Sequence, residues 1–471
     1  MGKKAAFHSL GCKVNSYETG TMIRSLLERG YEEVPFAPGA DVYIINTCTV
    51  TNVADRKSRQ MLHKAREMNP GAIVVACGCY AEDAETNLQK DPAVDLIVGN
   101  NDKGRLPEIL EEYFRDRESA EGSASGKENG KSSESGICAG SINSVKTYEE
   151  LPFAPAAERT RSFVKIQDGC NQFCSYCMIP YVRGRVRSRK KEEILKEVRK
   201  LADEGCREIV LTGIHISSYG LDFLAPGRNL QTPYAENAET NELLLDVIRQ
   251  CCATEGIRRL RLGSLEPGIM TEDFIRELSE IPELCPAFHL SLQSGSDSVL
   301  ARMKRRYRTQ DYAQKCSLLR TWFDHPAIMT DIITGFPGET EEEFRETEAF
   351  VRGIHFSRMH IFKYSVRKGT KAAEMKGQVP EKIKHLRSSV LMDIDEQERE
   401  AYAESFLGKT VEVQFEESGT DARGRYLTGY TKEYVPARLY SASISENEIC
   451  AGRVASAERG TVLLGAGAEM G

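Results

Sequence analysis

The sequence predicts an α/β protein of three parts: a doubly wound parallel sheet, a partial (β/α)6 barrel of the TIM type, and a small C-terminal β-barrel. Short apolar runs alternate with helix-like stretches over residues 1–115, and the same alternation recurs between residues 158 and 400. Strands that alternate with helices indicate parallel sheets. Residues 407–471 contain only short strand-like segments, and 471 residues suffice for two or three domains.

Composition describes a globular chain that we expect in the cytoplasm. The sequence is 40% hydrophobic and 28% charged, and its apolar runs are too short to span a bilayer. The N-terminus lacks the apolar core of a signal peptide. Fourteen cysteines in such a chain favour metal or redox chemistry over disulfides. The net charge of −7 means that any contact with nucleic acid depends on local basic patches.

The first domain is predicted to span residues 1–115. Its expected strands are Ala5–Leu10, Val42–Asn46, Ile73–Ala76 and Val94–Val98, and its expected helices are Ser16–Glu28, Val53–Met68, Glu82–Lys90 and Leu106–Phe114. Cys12, Cys48 and Cys79 follow the first three strands, whose carboxyl ends should meet at one edge of the sheet. They could hold an iron–sulfur cluster with one iron free, and buried structural cysteines are the alternative. We favour Cys79 over Cys77 because it follows Gly78 in the turn.

Residues 116–150 are predicted to form a disordered linker. Residues 118–144 are rich in Ser, Gly and Glu and contain almost no large apolar side chain. Such a composition cannot bury enough surface to offset its ordering entropy.

The central domain is predicted to span residues 151–406. Its expected strands are Arg161–Ile166, Glu208–Thr212, Ile257–Leu262, Phe288–Leu292, Ile328–Ile333 and Arg358–Phe362. Its expected helices are Glu192–Ala202, Leu243–Gln250, Glu272–Glu280, Ser298–Met303, Thr309–Arg320 and Glu341–Val351, and a long helix at Pro380–Phe406 closes the domain. In barrels of this type the functional site lies at the carboxyl ends of the strands. Glu266, Gln293 and Gly335 fall at such ends.

The loop Asp168–Tyr181 (DGCNQFCSYCMIPY) carries three cysteines in a C-x3-C-x2-C spacing, at Cys170, Cys174 and Cys177. Three thiolates this close can share one metal centre. A structural zinc site would need a fourth Cys or His nearby, and this loop supplies none. A [4Fe–4S] cluster with one iron open to a small molecule is therefore favoured, with zinc or unligated thiols as the alternative.

The cysteine loop, with an aromatic residue before its last cysteine, resembles that of the radical S-adenosylmethionine (SAM) enzymes. The segments GCKVNSYET, NTCTVTNVADRKSRQ and GCYAE further resemble the methylthiotransferase family, and the resemblance covers almost the whole chain. It implies two [4Fe–4S] clusters, of which the loop cluster binds SAM. The ligands that it implies are Cys12, Cys48, Cys79, Cys170, Cys174 and Cys177.

The segment DIITGFPGET (Asp331–Thr340) resembles a SAM-contacting motif of that family. Its glycines permit close backbone approach, and Thr340 is a predicted helix N-cap with Glu343 three residues on. An ordinary helix-starting turn is the alternative. The resemblance assigns contacts with SAM to Gly335, Phe336, Pro337, Gly338 and Glu339. Further candidates for cofactor contacts are Tyr176, Glu266 and Gln293.

Two basic runs could bind RNA phosphates. RGRVRSRKK (Arg183–Lys191) follows the cysteine loop, and RMKRRYR (Arg302–Arg308) follows the strand end at Gln293. Solvated surface, SAM contacts and structural packing are the alternatives for individual arginines. The predicted RNA-binding residues are Arg185, Arg187, Arg189, Arg305 and Arg306.

The tail, residues 407–471, is predicted to form a small β-barrel. Its expected strands are Lys409–Glu416, Gly424–Leu427, Tyr434–Leu439, Glu448–Val454 and Gly460–Leu464. By position the tail resembles the TRAM domain of the family, an RNA-binding barrel. Seven basic residues against nine acidic ones from Lys409 onward do not by themselves favour RNA binding.

The resemblance implies an enzyme that uses SAM twice in each turnover, once to methylate sulfur and once to form a 5′-deoxyadenosyl radical. The opening G-C-K-V-N-x-Y-E-T most resembles the branch that adds a methylthio group to C2 of N6-threonylcarbamoyladenosine next to the anticodon in tRNA. Isopentenyladenosine in tRNA or a ribosomal-protein aspartate are alternative substrates, and a two-cluster electron-transfer protein is the alternative class. Expected partners are tRNA, an electron donor such as flavodoxin or ferredoxin, and a sulfur source, but no membrane. No catalytic residue beyond the cluster ligands is predicted.

Overall fold

The computed structural model describes residues 2–83, 88–122, 137–138, 142–153, 160–224, 238–441, 443–465 and 469–470. The chain divides into two compact units. Unit 1 comprises Met1–Ala154, Gln167–Arg189 and Ser365–Ala373, and unit 2 comprises Pro155–Ile166, Lys190–Tyr364 and Glu374–Gly471. The cysteine loop thus belongs to the unit of the N-terminal sheet, whereas the sequence led us to assign it to the central domain. No described helix has both the length and the apolar character that a membrane crossing requires.

Unit 1 is built on a parallel six-stranded sheet. Its strands are β1 (Lys4–Ser9), β2 (Glu32–Val34), β3 (Val42–Thr47), β4 (Ile73–Gly78), β5 (Leu96–Val98) and β6 (Ile137–Cys138), in the order β2-β1-β3-β4-β5-β6. Its helices are α1 (Lys13–Glu28), α2 (Asn52–Met68), α3 (Cys79–Glu82) and α4 (Leu106–Gly122). Short 3-10 turns span Leu88–Lys90, Lys103–Arg105 and Ile142–Ser144.

The central strands of this sheet are covered on both faces. Every residue of β3 and β4 is buried, as near-continuous apolar runs in a parallel sheet predict. Side chains alternate between two apolar clusters. Ile45 packs in one cluster with Leu62 of α2, and Ile44 packs in the other with Leu110 of α4. This confirms the doubly wound fold predicted for the N-terminal part.

Two predictions for unit 1 need correction. The helix expected at Glu82–Lys90 is instead α3, which ends at Glu82, and a 3-10 turn at Leu88–Lys90, while residues 84–87 lie outside the described part. The predicted linker begins inside α4, because the good helix formers of 115–121 extend that helix to Gly122. Ile137–Cys138, also in the predicted linker, pairs with β5 as an edge strand. The linker residues 123–136 and 139–141 lie outside the described part.

Unit 1 also contains the chain around the cysteine loop. Strand β7 (Arg161–Asp168) begins in unit 2 and ends in unit 1, where Gln167 and Asp168 pair antiparallel with β8 (Arg187–Ser188). The short helix α5 (Ile179–Val182) lies between the loop and β8.

Unit 2 begins with an open barrel of parallel strands, as predicted. After β7 come β9 (Glu208–Gly213), β10 (Arg259–Leu262), β11 (Ala287–His289), β12 (Ala327–Thr334) and β13 (Arg358–Lys363). The helices are α6 (Lys191–Asp203), α7 (Ala238–Cys252), α8 (Glu272–Ser279), α9 (Asp297–Arg302), α10 (Thr309–Trp322), α11 (Glu341–Ile354), α12 (Lys371–Glu374) and α13 (Glu381–Glu404), with 3-10 turns at Ile216–Ser218, Leu221–Phe223 and Pro267–Ile269. Strands β10-β9-β7 form one ladder and β11-β12-β13 another. Single bridges at Leu260–Leu284 and Leu265–Leu290 continue the barrel wall beyond β10.

The tail of unit 2 forms the predicted β-barrel. Its strands are β14 (Thr410–Asp421), β15 (Gly424–Thr431), β16 (Pro436–Tyr440), β17 (Ile449–Glu458), β18 (Thr461–Leu464) and β19 (Glu469–Met470). The order β14-β15-β16-β18-β17 closes because β17 also pairs with β14, which removes the open edges. Val413, Phe415, Leu427 and Val462 are fully buried in its core.

Candidate functional site

Cys12, Cys48 and Cys79 lie at the carboxyl ends of three neighbouring strands of unit 1, where the sequence predicted them. Cys12 precedes α1, Cys48 directly follows β3, and Cys79 opens α3 directly after β4. Strands β1, β3 and β4 are adjacent and parallel, so these ends share one edge of the sheet. Cys12 is exposed, and the other two are buried.

Gly11 allows Cys48 to approach the turn that carries Cys12. The φ angle of Gly11 is +101°, and a Cβ there would lie 2.8 Å from both Cβ and Sγ of Cys48. Only glycine fits this place without a shift. Burial raises the pKa of the Cys48 thiol to about 12, and Cys79 and Cys12 add to the rise.

The donor atoms of these three cysteines fit an iron–sulfur cluster. Three thiolates leave one metal position without a protein ligand, as they do in the cysteine loop. The donor set is all sulfur, which is what iron–sulfur clusters require.

Cys77 lies deeper in β4 than Cys79 and is less suited to be a cluster ligand. It is fully buried, and its Sγ donates to the carbonyl oxygen of Ile45 at 3.5 Å. Of the two cysteines, Cys79 is therefore the more suitable ligand.

Arg183 connects the sheet edge with the segment that follows the cysteine loop, and the sequence did not single it out. Its guanidinium is fully buried, its Nε donates to Cys79 Sγ at 3.2 Å, and it forms a two-pronged ion pair with Glu18. Asp168 accepts from it at 3.3 Å, two residues before the loop's first cysteine. Lys103 pairs with Glu18 as well, so Glu18 lies between two buried cations. Glu18 lies inside the segment GCKVNSYET, but no periodicity marks it as buried.

Backbone hydrogen bonds hold the cysteine loop in place, both within the loop and to the chain that follows it. The amide of Cys170 donates to Gly184 O at 3.0 Å, and the amide of Cys177 donates to Cys174 O at 3.1 Å. Gly169 has a φ of +72°, and a Cβ there would lie 1.9 Å from the carbonyl oxygen of Arg185. Cys170 is buried, whereas the other two loop cysteines and Tyr176 are half-buried.

A second buried arginine of unit 1 also escaped the sequence analysis. Arg367 donates to Asp55 at 2.5 Å and to Asn52 at 2.9 Å, and it bonds to Thr49, the neighbour of Cys48. Its side chain and Thr49 are buried, whereas Asp55 is half-buried and Asn52 is exposed. This contact explains why Ser365–Ala373 belongs to unit 1 although the adjoining chain belongs to unit 2.

Three of the five arginines expected to face RNA are buried in ion pairs. Arg187 lies 3.7 Å from Asp168, Arg189 donates to Glu150 at 2.8 Å, and Arg305 is paired with Glu266. A sequence run cannot separate arginines that pack inward from those that face solvent, so the expectation for these three needs correction. Arg185 and Arg306 are exposed. Arg185 also stacks over the ring of Phe173 in the cysteine loop, 4.4 Å from its centroid.

In unit 2 the segment Gly335–Glu339 forms a rigid turn between β12 and α11. The amide of Gly335 bonds to the Glu339 carboxylate, which Arg387 holds at 3.2 Å. Burial raises the pKa of the Glu339 carboxyl, against the effect of Arg387. Phe336 is fully buried. Thr340 and Glu343 form the predicted capping box at the start of α11.

Glu266 and Gln293 have different surroundings. Glu266 bonds to Arg305 and lies 3.7 Å from His215. Burial alone would raise the pKa of the Glu266 carboxyl, but Arg305 and His215 outweigh it and lower the pKa to about 2. Gln293 follows β11 with a φ of +73° and bridges to Ile332 of β12. The carboxylate of Glu266 thus already has a cationic partner in Arg305.

A cluster of two histidines and an aspartate lies across three barrel strands, and no sequence pattern predicted it. His289 of β11 contacts Asp331 of β12 at 3.2 Å, and its ring stacks with that of His360 of β13 at 5.9 Å. Their ligand atoms all lie within 4.8 Å of one another. Burial lowers the pKa of His360, which favours its neutral form. The residues come from three distant segments, so only the strand register reveals the cluster.

Two family descriptions match different parts of the chain. The description "Radical SAM superfamily" matches residues 164–351, and "Uncharacterized protein family UPF0004" matches residues 4–99. Among solved structures, the chain resembles the radical SAM methyltransferase TsrM of Kitasatospora setae, with a TM-score of 0.55 at 15% identity over 79% of this chain and 74% of that one. At this identity the likeness concerns the fold alone.

Curated relatives match over most of their length. "Threonylcarbamoyladenosine tRNA methylthiotransferase MtaB" of Bacillus subtilis is 37% identical over 91% of this chain and 89% of its own. The protein of the same name from Aquifex aeolicus is 40% identical over 86% of this chain and 91% of its own. A "tRNA-2-methylthio-N(6)-dimethylallyladenosine synthase" of Corynebacterium glutamicum is 33% identical over 87% of this chain and 74% of its own. The chain belongs to the radical SAM methylthiotransferase family, whose members are transferases that employ SAM and [4Fe–4S] clusters.

Proposed function

We propose that this chain adds a methylthio group to C2 of N6-threonylcarbamoyladenosine, next to the anticodon in tRNA. The observation that carries the proposal is the presence of two separate cysteine triads in one chain, one in the C-x3-C-x2-C loop and one at the edge of a parallel sheet. Radical formation needs only the first triad, whereas sulfur insertion needs a second centre. The identity of 37–40% to relatives named for this substrate supports the choice of nucleoside.

We assign one cluster to Cys170, Cys174 and Cys177 and the other to Cys12, Cys48 and Cys79. When bound, the clusters and SAM supply the hydrogen-abstracting radical and the methylated sulfur. The protein's part is to hold the thiolates. Gly11 gives Cys48 room, and the backbone bonds of the loop fix Cys170 and Cys177.

In unit 2 we assign contacts with SAM to the turn Gly335–Glu339 and to Gln293. The turn is fixed by the bonds of Glu339 with the Gly335 amide and with Arg387, so its backbone groups keep one orientation. Such preorganised backbone suits a ligand with a charged amino-acid part. Glu266 is a weaker candidate, because Arg305 already neutralises its carboxylate.

tRNA is the partner class that the relatives' names support. We propose that Arg185 and Arg306, both exposed, contact RNA phosphates, and that the TRAM-like barrel of residues 407–471 contributes further contacts. The reaction consumes electrons and sulfur, so we also expect an external donor such as flavodoxin or ferredoxin and a sulfur source. From a tRNA-modifying role we further propose that the protein acts in the cytoplasm.

N6-dimethylallyladenosine is the second candidate substrate, because relatives named for it match at 33% identity. The two candidates differ in the N6 substituent, which is charged in one and apolar in the other. A reaction in which tRNAs carrying the two nucleosides compete for the enzyme therefore distinguishes the two candidate substrates.

The reconstituted protein should be given SAM, dithionite and an equal mixture of two tRNAs, one carrying each nucleoside. We expect methylthio product on the threonylcarbamoyl nucleoside and little on the other. Product mainly on the dimethylallyl nucleoside would make N6-dimethylallyladenosine the preferred substrate instead. Release of 5′-deoxyadenosine without product on either would reject both tRNA substrates, and absence of 5′-deoxyadenosine would reject radical chemistry.

A further inference from the structure

Arg183 offers an N–H bond to the sulfur of Cys79 inside unit 1. Its side chain is 0% exposed, and the distance from Nε to Sγ is 3.2 Å. A neutral thiol is a weak hydrogen-bond acceptor, whereas a thiolate carries a full negative charge. A buried guanidinium that faces sulfur is therefore suited to Cys79 in its thiolate form.

The remaining donors of Arg183 are all engaged, which fixes the direction of Nε. A guanidinium carries five N–H bonds in a rigid planar fork. Nη1 bonds to Glu18 and, at 3.3 Å, to Asp168, while Nη2 bonds to Asn15 at 2.6 Å and to Glu18 at 3.0 Å. With Cys79, five acceptors face five N–H bonds. The group cannot turn away from the sulfur without leaving a buried donor unpaired.

We propose that Arg183 is a positioning residue that holds Cys79 as a cluster ligand and raises the reduction potential of the cluster on Cys12, Cys48 and Cys79. This inference rests on the cluster assignment proposed above. One-electron reduction by an external donor breaks no bond and makes the cluster more negative. Hydrogen bonds to ligand sulfur and nearby positive charge stabilise that reduced form. Glu18 acts in the opposite direction, because its carboxylate offsets the charge of Arg183.

Arg183 and Glu18 should shift the reduction potential of the cluster in opposite directions, so changing each of them tests the proposal. The full chain with Cys170, Cys174 and Cys177 changed to Ala is reconstituted anaerobically with iron and sulfide, so that only the second cluster forms. Iron and sulfide content, the electron paramagnetic resonance spectrum and a mediated redox titration are then measured. The variants are Arg183→Gln, Arg183→Lys and Glu18→Gln, with Arg187→Gln as the matched control. Arg187 is a buried arginine that pairs with Asp168.

We expect Arg183→Gln to lower the midpoint potential, with about a tenfold change in the ratio of reduced to oxidised cluster at fixed potential, or about 59 mV for one electron. Arg183→Lys should recover part of the loss, Glu18→Gln should raise the potential, and Arg187→Gln should leave it near the parent value. If Arg183→Gln binds the full amount of cluster and has the same midpoint potential as the parent, the proposal is overturned. If Arg183→Gln assembles no cluster, Glu18→Gln decides, since an unchanged or lowered potential there also overturns it. A parent without any bound iron refutes the cluster assignment itself, which is a different failure.

Discussion

Arg183 Nε lies 3.2 Å from Cys79 Sγ, although the two residues are 104 positions apart in the sequence. The arginine follows Cys177, the last cysteine of the loop, by six residues, and Cys79 opens α3 at the edge of the N-terminal sheet. A buried polar network thus joins the chain segments that carry both cysteine triads, and both lie in unit 1. The two triads are parts of one folded unit rather than features of separate domains.

The two triads should be separable by mutation. Cys174→Ala removes a ligand of the loop cluster, so we expect loss of SAM cleavage and of methylthio product. Cys12→Ala leaves the loop intact, so 5′-deoxyadenosine should still form while the product disappears. Both are measured by chromatography of one anaerobic reaction with dithionite. Methylthio product from Cys12→Ala would disprove the role of the second triad in sulfur transfer.

Cys77 and Cys79 form a matched pair two residues apart. In a chain that lacks the loop cysteines, Cys77→Ala should retain iron and sulfide, because the fully buried Cys77 thiol is engaged with Ile45 O. Its cost should be only the small cavity left in the core, about 1 kcal/mol of unfolding free energy. Cys79→Ala should lose most of the iron. Equal iron loss in both variants would show that Cys77 is also a ligand.

The Glu266–Arg305 pair predicts a defined loss of stability. Glu266→Gln leaves a buried guanidinium without its carboxylate, so we expect unfolding to become easier by about 3–5 kcal/mol. The double variant Glu266→Gln/Arg305→Gln should be less destabilised than the sum of the single variants. Trp322, the only tryptophan, lies on α10 of unit 2 and reports urea unfolding by fluorescence. Additive effects would mean that the pair contributes nothing.

The Glu266–Arg305 pair also predicts how the stability of the fold changes at acidic pH. The pKa of Glu266 falls from 4.5 to about 2 in the folded protein, since Arg305 and His215 outweigh the effect of burial. A carboxyl whose pKa is lowered on folding stabilises the fold above its unfolded pKa, and this contribution is lost as the pH falls from about 4.5 towards 2. The stability difference between the native chain and Glu266→Gln should therefore shrink across that range. A constant difference would contradict the lowered pKa.

Arg185 and Arg306 should carry phosphate contacts with tRNA, because both are exposed on the basic runs. Changing each to Gln should weaken tRNA binding and reduce the slope of log K against log salt by about one per contact. Arg345→Gln is the control, since Arg345 is an exposed arginine of α11 outside the basic runs. Filter binding over a series of salt concentrations measures both quantities. Equal slopes for all three variants would remove these two residues from the RNA contacts.

Much of the fold followed from sequence periodicity, because buried parallel strands and amphipathic helices have clear patterns. The placement of Cys12, Cys48 and Cys79 at one sheet edge followed from the same argument, and the closed β-barrel was indicated by short alternating segments. Helix α4 was predicted too short because Ser and Glu content suggested disorder. Those residues also extend an existing helix once its first turns are packed.

The buried polar network was not predictable in the same way. Arg183, Arg187 and Arg189 lie in one basic run, and local sequence cannot tell that Glu18, Asp168 and Glu150 neutralise them. Whether an arginine faces solvent or an inward carboxylate depends on contacts between residues far apart in the chain. The cluster of His289, Asp331 and His360 has the same origin, since three strands supply one residue each.

The reaction proposed for this chain is the methylthiolation of threonylcarbamoyladenosine in tRNA. Mass spectrometry of tRNA nucleosides from a strain that lacks the protein is a direct test of it. We expect 2-methylthio-N6-threonylcarbamoyladenosine to disappear and its unmodified precursor to accumulate. The native chain should restore the product, whereas Cys12→Ala should not. An unchanged level of the methylthio nucleoside in the deletion strain would contradict the claim.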